Sequence, residues 1–141
     1  MVTSKRVFLT PSVMFAFVDR NDPKHNQASA YLRYFAQEKY NLYITLSSII
    51  KTYNDLRKHM SYAIAKDFIR ACFTGNIEIV YPDEASTKAA LKLILSETQR
   101  DFNNFDHALI NVLADKNQTP QICSFEFSRF YFGISLFNLP F

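Results

Sequence analysis

The chain has 141 residues, of which 48% are hydrophobic and 21% charged, and only two are glycine. That is one domain's worth of sequence, able to bury a core without disulfide or metal staples, and it excludes a disordered or low-complexity chain. A net charge of +3 tolerates contact with nucleic acid, but lacks the large, clustered charge of a dedicated nucleic-acid binder.

Val7 to Leu9 reads as a strand closed by Thr10-Pro11, since proline suits the first turn of a helix, where its missing N–H costs nothing. Ser12 to Asp19 carries Val13, Phe15, Phe17 and Val18 at helical spacing. Asp22 and Pro23 read as the cap and first residue of a helix from about Lys24 to Glu38, with Ala28, Tyr31, Leu32 and Phe35 as its apolar stripe. Leu42 to Thr45 is a second strand, and Leu46-Ser47-Ser48 opens a helix bearing Ile49, Ile50, Tyr53 and Leu56. A helix from Ser61 or Tyr62 to Phe73 follows, with Gly75 expected as its left-handed terminator. Ile77 to Tyr81 is a third strand, and Pro82-Asp83-Glu84 caps a helix reaching about Glu97. Phe105 to Asp115 is a further helix, and Gln121 to Phe125 a fourth strand before an aromatic tail. Strands alternating with helices imply crossover connections and a mostly parallel sheet. No repeat or linker interrupts residues 1–141, so a single domain is expected. Cys72 and Cys123 lie far apart in apolar surroundings and read as buried thiols in a reducing, cytoplasmic setting. No apolar run suits a membrane span or signal segment.

Four stretches carry more than structure. They are Val7-Phe8-Leu9-Thr10-Pro11-Ser12-Val13-Met14, Asn21-Asp22-Pro23-Lys24-His25-Asn26-Gln27-Ala28, Phe105-Asp106-His107-Ala108-Leu109-Ile110, and Ser124-Phe125-Glu126. Together with the order of elements, and with Phe130-Tyr131-Phe132-Gly133-Ile134 near the end, they resemble the PIN domain of metal-dependent ribonucleases, including VapC-type toxins of toxin–antitoxin pairs. The resemblance covers nearly the whole chain. It implies an α/β, three-layer fold with a central, mostly parallel sheet and helices on both faces.

The resemblance also implies four acidic positions, of which this chain keeps two. Thr10 stands where the first Asp belongs, and the second acid, a Glu inside the helix after the second strand, falls at Thr52. Asp55, about one turn further on, is either a displaced carboxylate or an ordinary solvated helix acid. Asp106 matches the third acid, although an Asp there also caps its own helix. Glu126 matches the fourth with an arm one methylene longer, preceded by the hydroxyl of Ser124, and Asp101 is a further acid nearby. In an intact site of this kind, Mg or Mn held by clustered carboxylates lowers the pKa of a bound water and stabilises charge on the phosphate. Asp106 and Glu126 would be the metal ligands here.

Other chemistry has little to stand on. The three histidines are dispersed, and there is no glycine-rich phosphate loop or nucleophile elbow. Lys51, Arg57, Lys58, Lys66 and Arg70 either contact RNA phosphates or form a solvated face. Tyr31, Tyr34 and Tyr40 either stack bases or pack their helix. Three functional expectations result: a divergent VapC-like protein with weak or lost nuclease activity, an active Mg/Mn endoribonuclease using Asp106 and Glu126 with help from Asp55 or Asp101, or a non-catalytic module whose aromatic C-terminus binds a partner. The expected partners are RNA, an antitoxin-like protein or a second copy of the chain, with no membrane.

Overall fold

Alternation at residues 7, 8 and 9 sets the layers of the molecule. The structure, a computed structural model, describes residues 5–96, 105–116, 121–125 and 135–137. Strand β1 (Arg6–Leu9) sends Val7 and Leu9 to one side of the sheet and Phe8 to the other, as a period of two requires. Behind Val7 and Leu9 pack α1 (Pro11–Val18), α2 (His25–Gln37), α3 (Leu46–His59) and α4 (Tyr62–Thr74), through Val13, Phe35, Leu56 and Phe68. Behind Phe8 pack α5 (Glu84–Ser96) and α6 (Phe105–Lys116), through Ala90, Leu109 and Leu113. The sheet lies between two helical layers, as expected.

Strands β2 (Asn41–Thr45), β3 (Ile77–Val80), β4 (Gln121–Cys123) and β5 (Ser135–Leu136) complete a sheet of order β3-β2-β1-β4-β5. Every pairing is parallel; Phe8 lies opposite Tyr43 on one side and Ile122 on the other. The chain builds outward from β1 to β3 and then returns to the far side of β1. The direction of build therefore reverses between β1 and β4, where an open α/β sheet leaves a crevice beyond its carboxyl ends.

The structure corrects several local expectations. Helix α2 begins at His25 rather than at Pro23, because Asp22 spends its side chain on the Lys24 amide and its carbonyl on the His25 amide, closing a turn first. Gly75 follows α4 with φ of −84°, so it is not a left-handed terminator. Its need is for space: a Cβ there would lie 2.8 Å from the Ala71 carbonyl oxygen. The left-handed residue is Lys39 after α2, with φ of 56°. There the Tyr40 and Lys39 amides bond the Phe35 and Ala36 carbonyls, and the Tyr40 and Phe35 rings meet at 5.0 Å; this is the Schellman arrangement, which favours glycine.

A fifth strand, β5, joins the four expected; two residues carry no legible alternation. Phe137, just after it, is buried against Phe35 (4.6 Å between ring centres), Tyr34 and Tyr31. This aromatic of the tail is core, and the tyrosines expected as base-stacking candidates pack against it. Cys72 and Cys123 are buried free thiols, and burial pushes Cys72 up to about 11 and Cys123 higher still. No helix among the described residues is long and apolar enough to cross a membrane.

Candidate functional site

The carboxyl ends of β1, β2 and β4 deliver hydroxyls where the crevice opens. Thr10 follows β1, Thr45 ends β2, and Ser124 follows β4; all three are buried. Asp106 enters from the first turn of α6, where a carboxylate is favoured by the helix N-terminus. The cleft has a volume of about 400 Å³, and Thr10, Ser12, Ser124, Asp106, Asp55 and Lys51 line it.

Asp106 is the best-held group in the cleft. Its Oδ1 accepts the Thr45 hydroxyl at 2.8 Å and the Ser47 hydroxyl, and its Oδ2 accepts the hydroxyl of Ser48. Thr45 is also the N-cap of α3, taking the Ser48 amide at 3.0 Å. One strand–helix junction thus caps its own helix and clamps a carboxylate 58 to 61 residues away. Asp106 therefore lies inside the first turn of α6 and ties that helix to the β2–α3 junction.

Thr10 holds the other wall. Its Oγ1 donates to the Cys123 carbonyl at 2.8 Å, joining β1 to β4 beyond their last paired residues. Ser12 Oγ lies 3.2 Å from Thr10 Oγ1 and 3.4 Å from Ser124 Oγ, and accepts the Phe125 amide at 3.1 Å. The position expected to carry an acid therefore carries a hydrogen-bond donor that an ionised carboxylate could not replace.

The remaining expected residues divide clearly. Asp55 does line the cleft, but Lys51 Nζ lies 3.1 Å from its Oδ2. Thr52 does not line the cleft: it is fully buried, and its hydroxyl donates to the Ser48 carbonyl of its own helix. Among the described residues, α3 presents Lys51 and Asp55 to the cleft instead. Arg57 and Lys66 lie elsewhere, over the Tyr62 ring, and Arg70 pairs with Asp67. Asp101, Glu126 and the stretch 130–134 lie outside the described residues. Thr45, Ser47 and Ser48 were not singled out in the sequence; three hydroxyls in four positions at a strand–helix junction are the only local hint.

A divalent cation needs several oxygen ligands, usually with more than one carboxylate. Of the two carboxylates just described, Asp106 already accepts three hydroxyl bonds and Asp55 is paired with an ammonium. Among the described residues no group of three Asp, Glu, His or Cys side chains gathers that could hold a metal ion. Among the described residues, then, the donor set does not fit Mg or Mn: they form a hydroxyl-rich cleft in which Asp106 is caged by hydroxyls.

Known protein structures share this architecture. VapC20 of Mycobacterium tuberculosis, a toxin that cleaves the sarcin–ricin loop, superimposes with a TM-score of 0.76 at 14% identity, over 85% of this chain and 89% of that one. A chain of the VapBC2 complex of Rickettsia felis, solved on a DNA fragment from its promoter, gives 0.70 at 14% identity, over 94% and 98%. At that identity the likeness is one of fold. No family model and no curated protein matches the sequence.

Proposed function

We propose that this chain, whose fold is that of the PIN-domain VapC toxins, is a divergent VapC-like protein with weak or lost nuclease activity. It keeps the cleft of an RNA-cleaving toxin without a working cation site. The observation that carries this reading is the caging of Asp106 by Thr45, Ser47 and Ser48. A carboxylate with three of its roughly four lone-pair sites engaged by hydroxyls has little left for a cation, and the threonine at position 10 and the Lys51–Asp55 pair agree with a structural role. On this reading the protein works in the cytoplasm by binding. RNA is a candidate ligand, since VapC20 acts on an RNA loop, and an antitoxin-like protein is a candidate partner, since VapBC2 is such a complex.

The test is cleavage of a labelled RNA hairpin by the full chain with and without Mn²⁺, beside Asp106→Asn. The expected result is no Mn²⁺-dependent product from either protein. Cleavage by the native chain that Asp106→Asn abolishes would overturn the proposal and restore the active ribonuclease.

A further inference from the structure

A divalent ion does two things in a nuclease cleft: it offsets the carboxylates and it meets the phosphate. Among the described residues no donor set for that ion gathers, yet the cleft is not lined by carboxylates alone. Helix α3 turns Thr52 into the core and its neighbour Lys51 into the cleft. The ammonium of Lys51 lies 3.1 Å from Asp55 Oδ2, one turn further along the same helix, and both side chains line the cleft. The chain thus supplies a cation of its own from the helix where the resemblance implies an acid.

The rest of the lining suits an anion with a ring beside it. Lys24 is a second cation of the cleft, its Nζ 5.0 Å from the centre of the Phe125 ring. Of the carboxylates in the lining, Asp106 is engaged by three hydroxyls and Asp22 accepts the Lys24 amide at 2.8 Å. That leaves Lys51–Asp55 as the pair with room to change. Its side chains are 47% and 35% exposed, and an open i,i+4 pair of this kind adds little to stability, so the ammonium can turn to an incoming anion at small cost. Phe15, Phe125, Pro11 and Pro23 give the same cleft apolar walls, and its volume of about 400 Å³ admits a nucleotide.

We propose that Lys51 is the cation of this cleft: its ammonium, shared with Asp55, meets the phosphodiester of a single-stranded nucleic acid in place of a metal ion, with Lys24 as a second contact and Phe15 and Phe125 beside the bases. The inference rests on the reading above that no cation site remains, and it names the residue that takes over the ion's binding role. Two substitutions separate the two kinds of site by sign. Where a metal holds the phosphate, a cleft carboxylate helps and a neighbouring ammonium opposes the metal. Where Lys51 holds it, the ammonium helps and Asp55 competes with the phosphate. Lysines outside the cleft attract the same backbone without positioning it.

The test is anisotropy titration of a fluorescein-labelled oligouridine with the full chain, in EDTA and in Mn²⁺. The expected affinity is the same in both. It should fall severalfold in Lys51→Gln, with the slope of log K against log salt reduced by about 0.7, and return in Lys51→Arg. In Asp55→Asn it should rise severalfold. Lys92→Gln, which removes the same charge from α5 outside the cleft, should change it little. These positions are at least partly exposed, and a thermal melt identifies any variant that fails to fold; the fall and the rise come from separate variants, so either carries the test alone. Equal losses in Lys92→Gln and Lys51→Gln overturn the proposal. So does an Asp55→Asn chain that binds no better in EDTA, or a native chain that binds in neither buffer; each of these leaves the reading above in place. Binding that requires Mn²⁺ and weakens in Asp55→Asn overturns both, and assigns the phosphate to a metal.

Discussion

At residue 10 one hydroxyl does two jobs that an acid could not share. It donates to the Cys123 carbonyl and sets the distance between β1 and β4 at the mouth of the cleft. An ionised Asp has no proton to give, so the carbonyl would lose its donor and face a negative charge instead. Thr10→Asp is expected to cost about 1–3 kcal/mol in urea denaturation, the usual penalty for a buried group left without its partner. Thr10→Ser keeps the proton and should cost much less; equal stability of the Asp variant and the native chain would remove the hydroxyl from this role. Lys39 makes the opposite case. An L-residue with φ of 56° carries a left-handed penalty, and its long side chain is exposed, so nothing is gained in return. Lys39→Gly should raise stability by up to about 1 kcal/mol, part of the penalty being returned as glycine's greater unfolded entropy. A melting temperature raised by a few degrees would bear this out, and a lowered one would contradict it.

At the scale of elements, α5 and α6 are joined through Asp83. Its Oδ1 takes the Ser86 amide at 2.7 Å, capping α5, and its Oδ2 lies 2.9 Å from Lys116 Nζ at the end of α6. The Lys116 hydrogen bond first, and the Ser86 bonds after it, hold this carboxyl well below the usual carboxylate range. A depressed folded pKa gives stability that is complete above the unfolded value, about 4, and is lost as pH falls below it. Asp83→Asn should therefore flatten the acid side of the stability–pH curve while changing its slope little above neutrality. An unchanged acid limb would mean that the contact is too solvent-screened to count. The cap here was legible because its signal is local: an Asp after Pro82, three residues before Ser86. The same logic failed at Asp22, which closes a turn of its own, and at Gly75, where the constraint is a neighbouring carbonyl rather than a dihedral. Strand β5 was not legible, because its two residues depend on a partner strand for their existence.

For the whole molecule, the sheet order decides what the sequence could reveal about the site. Periodicity and the order of elements sufficed for a parallel sheet between helical layers, and the structure places Thr10, Asp106 and Ser124 of the quoted stretches along one cleft, with Asp55 beside them. The chemistry of that cleft depends on a contact between residues 58 to 61 apart, Thr45, Ser47 and Ser48 with Asp106, and no local pattern encodes it. Thr52 shows the complementary failure: one position along a helix turns a side chain by about 100°, enough to exchange the cleft for the core. Among the described residues, the carboxylates of that cleft, Asp106 and Asp55, are already engaged by this chain's own side chains, which is the ground for proposing that no cation site remains. Calorimetric titration of the full chain with Mn²⁺ tests this directly. No heat beyond dilution is expected, either for the native chain or for Asp106→Asn. Stoichiometric binding by the native chain that Asp106→Asn removes would contradict it.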